Sequence, residues 1–140
     1  MEFSDDNEIV ALCVKGMEFE GQGKLSEASD LFTKAWNAAT NDFEKFTAAH
    51  YVARHKNSVS DKLKWDKTAL HHALNIDDVS IKASLPSLYL NIAKCYEDLN
   101  DFEEAKNNYQ KACSFSDLLA ENEYGDMIKK GIANGLKRTK

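Results

Sequence analysis

The stretch GMEFEGQGKLSEASDLFTKAWNAA, residues 16–39, returns as AKCYEDLNDFEEAKNNYQKACSFS, residues 93–116, and the two align without a gap. A small residue (Gly16, Ala93) is followed three positions later by an aromatic one (Phe19, Tyr96). A turn former (Gly23, Asn100) comes next, then an apolar residue (Leu25, Phe102) and alanine (Ala28, Ala105). A second aromatic (Phe32, Tyr109) and a second alanine (Ala35, Ala112) close the pattern. Residues three and four apart share one face of a helix, so each segment reads as two amphipathic helices joined by a tight turn. Alanine and glycine let two helix backbones approach, and the aromatic rings fill the space that they leave.

This register of small, aromatic and alanine residues resembles the tetratricopeptide repeat, a helix-pair unit of about 34 residues. Extended to that length, the two copies span about 9–42 and 86–119. Both lack the family's usual closing proline, with Thr40 and Asp117 in its place. The resemblance implies an all-α, right-handed superhelix of about three helix pairs with a C-terminal capping helix.

The intervening stretch, 43–85, also reads as a helix pair. Its helices are expected from about Asp42 to Lys56 and from about Ser60 to Asn75, with Leu63, Leu70, Ala73 and Leu74 on one face of the second. Asp66 stands where the family has its packing alanine, so this unit is divergent. Its surplus residues fall around Asp77 to Leu85, as a longer connector or an extra turn of helix. Asn41 with Glu44 and Asp101 with Glu104 have the spacing of capping boxes, and Pro86 suits the first turn of a helix. Near the C-terminus, a capping helix over about 122–138 carries an apolar stripe of Tyr124, Met127, Ile128, Ile132 and Leu136. Gly131 and Gly135, four apart, call for something packed closely against them. No linker or low-complexity tract divides the chain, which is read as a single domain over 1–140.

Composition limits the function. The 140 residues carry a net charge of −5, with 43% hydrophobic and 29% charged residues, one proline and six glycines. That balance is globular and helix-friendly. Nucleic-acid binders usually present a basic face. Here the cations Lys129, Lys130, Lys137, Arg138 and Lys140 cluster instead where they complement the negative end of a last helix, and no nucleic-acid partner is expected. No stretch approaches the ~20 apolar residues of a membrane span, and the first residues, MEFSDDNEIV, are acidic where a secretory signal would be basic. Cys13, Cys95 and Cys113 contain no CxxC pair and read as reduced, buried thiols of a cytoplasmic protein.

Catalytic and metal signatures are missing. Gly21-Gln22-Gly23 lies in a helix–helix turn without the third glycine or the preceding strand of a nucleotide loop. His50, His55, His71 and His72 point to different sides of their helices and do not converge as zinc requires. The expectation is therefore no enzyme, no cofactor and no metal.

In the family that the repeats resemble, the first helix of each pair lines a concave groove that takes peptides or partner helices. Carried over residue by residue, that groove gathers Cys13, Met17 and Glu20, then Thr47, Tyr51, Arg54 and His55, then Leu90, Asn91, Lys94 and Glu97. The family's carboxylate clamp for acidic chaperone tails does not carry over, because its positions fall on Cys13, Met17, Ala48, Ser87 and Asn91. The function that the resemblance implies is a non-enzymatic adaptor or scaffold binding a protein or peptide. The alternative is a ligand-sensing or enzymatic pocket around His50, Tyr51, Arg54 and Trp65, residues that could equally be core packing. A third reading is a homodimer that covers leftover apolar surface.

Overall fold

A computed structural model describes residues 6–140. Its helices are α1 (Glu8–Gly21), α2 (Leu25–Ala38), α3 (Asp42–Arg54), α4 (Val59–Leu74), a single-turn α5 (Val79–Lys82), α6 (Leu85–Asp98), α7 (Phe102–Ser114) and α8 (Glu123–Arg138). A 3-10 turn lies at Ser116–Leu118, and no strand occurs among the described residues. The chain divides into two compact units, Met1–Ile76 with α1–α4 and Asp77–Lys140 with α5–α8.

The aligned segments fold alike down to their turns. Gly23 (φ 76°) and Asn100 (φ 63°) both take the left-handed conformation that closes a helix. In the first turn Lys24 N–H donates to the Phe19 carbonyl (2.9 Å) and Gly23 N–H to Glu20 (3.0 Å). In the second, Asp101 donates to Tyr96 (2.9 Å) and Asn100 to Glu97 (3.0 Å). These are paired Schellman closures, and they explain why glycine and asparagine stand at matched positions.

Within the first unit, Gly16 of α1 lies under Phe32 of α2, where a Cβ would be 2.4 Å from the ring's Cε1. Phe32 is fully buried with Ala28 and Ala35, and burial of such a ring contributes about 1.5–3 kcal/mol. Helix α3 packs against α1, α2 and α4, which is why Phe43, Phe46, Thr47, Ala48, Ala49, Val52 and Ala53 are all buried. Asn7 caps α1, its side chain accepting from Ile9 and Val10. Asn41 caps α3 by accepting from Glu44 N–H at 2.9 Å. The returning half of that box shifts by one residue, since Glu44 accepts from the Thr40 amide (3.0 Å) and also from the Asn7 side chain (3.2 Å).

Helix α4 is rotated from its expected face. Ala73 is buried, but Leu74 is 53% exposed, and the inward line runs Asp66, Ala69, Ala73. Those three recur at helical spacing, and Leu74 lies about 100° away from Ala73. Asp66 thus occupies a buried position where the family has alanine. Among the described residues no buried side-chain polar atom lacks a hydrogen-bond partner.

In the second unit, the surplus residues of the middle stretch form α5, whose turn is capped by Asp78. Pro86 lies in the first turn of α6. Helix α8 packs on both α6 and α7, and Gly131 and Gly135 meet what the sequence demanded of them. A Cβ at Gly131 would lie 3.2 Å from Leu90 Cδ2, and one at Gly135 would lie 2.2 Å from Tyr109 Cε1. The apolar stripe of α8 is only half inward. Ile128 and Ile132 are buried, whereas Tyr124 and Met127 are 56% and 60% exposed, because the inward line runs through Gly125, Ile128, Ile132 and Gly135 instead. The cysteines also depart from expectation. Cys13 and Cys95 are buried, but Cys113, near the end of α7, is exposed.

Candidate peptide-binding site

The first helices of the pairs in unit one, α1 and α3, lie side by side and leave a recess of about 320 Å3 lined by Val10, Cys13, Val14, Met17, Thr47 and Tyr51. Four of these were expected in the groove: Cys13, Met17, Thr47 and Tyr51. Val10 and Val14 were missed, although each stands one helical step from Cys13 or Met17. The lining is apolar. The Thr47 hydroxyl is spent on the Phe43 carbonyl at 2.8 Å, and burial pushes the Cys13 thiol up to about 11, so it stays protonated. Met17 is partly exposed at the mouth.

At one end of this recess the remaining expected residues of unit one join in a small polar network. Tyr51 stacks on Phe32 with ring centroids 5.0 Å apart and nearly parallel planes. The Arg54 guanidinium stands 5.2 Å from the Tyr51 ring centroid. Glu20 binds both neighbours, taking His55 Nε2 at 2.7 Å through one carboxylate oxygen and Arg54 Nη2 at 3.4 Å through the other. Burial, followed by contributions from Cys13 and Glu20 that outlast the opposing effect of Arg54, holds the Tyr51 hydroxyl above its ordinary range. Beyond Arg54 a second recess of about 400 Å3 opens, lined by Leu25, Ser26, Ser29 and Asp30 of α2 and by Arg54, His55, Lys56 and Asn57.

In unit two, Leu90 is buried under α8. Glu97 accepts the Tyr109 hydroxyl at 2.7 Å and is held by Arg138 at 2.8 and 3.2 Å. Both side chains therefore have structural partners on the capping helix. Asn91 is half-buried and Lys94 is exposed on α6.

The alternative cluster is spread over two aromatic groups. His50 and Arg54 accompany Tyr51, with the His50 ring 5.3 Å from that of Tyr51. Trp65 packs edge-on against Trp36 at 5.0 Å and lies beneath Lys56. Burial, then the positive charge of Arg54, pushes His50 below the usual histidine range. Trp36, which no sequence argument singled out, was visible as the residue one turn beyond Phe32 on α2. Among the described residues no group of three or more histidine, cysteine or acidic side chains is arranged to hold a metal ion. No helix among them is long and apolar enough to cross a membrane.

Residues 86–117, which are α6 and α7, match the tetratricopeptide repeat family model. The chain is thus a helical-repeat protein that carries a tetratricopeptide repeat. It is 37% identical over 95 residues to DnaJ homolog subfamily C member 7 of Mus musculus, a match that covers 66% of this chain and 17% of that relative. The chain therefore corresponds to a small part of the relative's length. No solved structure matches it significantly.

Proposed function

We propose that this chain is a non-enzymatic protein-binding module, an adaptor or scaffold that holds an extended peptide or partner helix against the first helices of its pairs. The observation that supports it best is the apolar recess between α1 and α3, open at Met17 and walled by Tyr51. Its volume suits one large apolar side chain of a partner, and such anchors carry most of the affinity in peptide recognition. Helical-repeat domains in general mediate protein contacts, which is analogy at the level of fold. Asn91 and Lys94 of α6 are offered as further contact residues. A cytoplasmic location goes with this reading, since the three cysteines form no disulfide.

Affinity capture from a lysate of the source organism, read by mass spectrometry, tests the proposal. The natural sequence is compared with a variant carrying Met17→Glu, Arg54→Ala, Asn91→Ala and Lys94→Ala. Tyr51 is kept because it packs on Phe32. A protein retained by the natural chain and lost by the folded variant supports the reading, and equal retention by both contradicts it. Size-exclusion chromatography over a hundredfold concentration range tests the homodimer, which a constant monomeric elution volume would remove.

A further inference from the structure

Helix α8 packs on α6 and α7 as α3 packs on α1 and α2. Each starts from an asparagine cap, Asn122 and Asn41. Counted from those caps, the line Asp42, Phe46, Ala49 and Ala53 of α3 corresponds to Glu123, Met127, Lys130 and Asn134 of α8. On α3 the last three are buried, and Asp42 Oδ1 lies 2.7 Å from His72 Nδ1 of α4, the third helix packed against α3. On α8 all four are exposed, as are Asp126 and Lys137 on the same side, opposite the inward line from Gly125 to Gly135. Charge on this open side is split end to end. Glu123 and Asp126 lie in the first turn, and Lys130, Lys137 and Lys140 in the second half. Arg138 is spent on Glu97, but Asp126, Lys130 and Lys137 form no ion pair among the described residues.

We propose that the open side of α8 pairs with the same side of a second copy of this chain, the two helices running antiparallel about a two-fold axis between Gly131 and Ile132. That register sets Asp126 against Lys137 of the second copy and Glu123 against its Lys140, twice each by symmetry. It also brings Met127 beside Ala133 and Leu136 of the second copy. A parallel pair would instead set Asp126 on Asp126 and Lys137 on Lys137, and opposed like charges work against association. Antiparallel pairing further aligns the negative end of each helix dipole with the positive end of the other. A contact of this isologous kind closes after two copies. The helix has 16 residues and is about 24 Å long, so the interface falls at the small end of specific contacts. Its dissociation constant is expected on the order of 10–100 μM. The contact uses no residue of the α1–α3 recess, so it stands apart from the peptide-binding reading.

Sedimentation equilibrium of the full chain, from about 5 μM to about 1 mM so as to bracket that value, tests the proposal. The variants are Asp126→Lys and Lys137→Asp, each checked for folding by its circular-dichroism melt and run alone and as an equimolar mixture. The natural chain should pass from monomer to dimer across the range, less readily at high salt. Each variant alone opposes like charges at both pairs, and its dissociation constant should rise at least tenfold. In the mixture every opposed pair is again of unlike sign, so dimers should return as one copy of each variant. A natural chain that stays monomeric throughout overturns the proposal. A dimer that neither variant weakens places the contact elsewhere and overturns it as well. Variants that weaken the dimer singly but do not recover when mixed overturn the antiparallel register.

Discussion

Gly135 of α8 lies directly beneath the ring of Tyr109, in the relation that Gly16 of α1 bears to Phe32. A Cβ would approach Tyr109 Cε1 to 2.2 Å and Phe32 Cε1 to 2.4 Å. Each ring is fully buried, so neither can swing away. Two helix crossings are thus set by the absence of one methyl group.

Alanine at Gly135 or Gly16 should accordingly destabilise the chain by about 1–3 kcal/mol, the usual cost of overpacking a core. Gly131→Ala should be nearly neutral. Its Cβ would meet the end of the Leu90 side chain at 3.2 Å, and alanine regains about 1 kcal/mol of helix propensity. Urea unfolding followed by circular dichroism ranks the three variants.

Glu97 joins α6, α7 and α8 through Tyr109 and Arg138. The Arg138 hydrogen bond, against some desolvation and helped by Tyr109, holds its carboxyl below the usual glutamate range. A depressed carboxyl adds stability that is complete above the ordinary value of about 4.3 and is lost as pH falls through the folded value. Arg138→Gln should cost about 1 kcal/mol at neutral pH, since the pair is partly exposed. It should also flatten the acid side of the stability curve below about pH 4.5 relative to the natural chain. Thermal melts across that range provide the check.

His50 has the same sign for a different reason. Its ring is depressed by burial first and by Arg54 second, so the folded state favours the neutral form. The stability it contributes is present above the unfolded histidine value of about 6.5 and is lost as pH falls toward the folded value. Trp36 and Trp65 both lie in the first unit, so their fluorescence reports on it. The natural chain should lose more of its urea midpoint between pH 7.5 and 5.5 than His50→Gln does.

The thiols should divide by reactivity. Cys113 is exposed, whereas Cys13 and Cys95 are buried and Cys13 is held as a thiol by its surroundings. Ellman's reagent should modify one thiol rapidly in the folded chain, and Cys113→Ser should abolish the fast phase. A fast phase that survives would mean that the α1–α3 recess exposes Cys13 to reagent.

Much of this arrangement was legible because the rule behind it is local. The spacing from Gly16 to Ala35 and from Ala93 to Ala112 encodes two packed helices and the turn between them, and the turn residues disclose their left-handed backbone. What was misread depends on rotation about a helix axis. Leu74, Tyr124 and Met127 were placed inward from hydrophobicity alone, while Asp66 and Gly125 hold the inward positions. Apolar character votes for burial, but the neighbouring helix decides which edge of a wide stripe it covers. The pairing of Trp36 with Trp65 was hidden for a similar reason, since it depends on how α2 and α4 both pack against α3. At the site, Met17 and Tyr51, carried over from the groove of the family that the repeats resemble, both line the recess between α1 and α3. The resemblance could not show that Glu20 would already hold His55 and Arg54.

On the proposed function, a partner binds in the recess between α1 and α3. Methyl and amide chemical shifts of the folded chain, recorded while a captured or selected peptide is titrated in, test it most directly. The largest shifts should fall on Val10, Cys13, Val14, Met17, Thr47 and Tyr51. Shifts confined to the outer faces of α7 and α8, with those six unchanged, would contradict it.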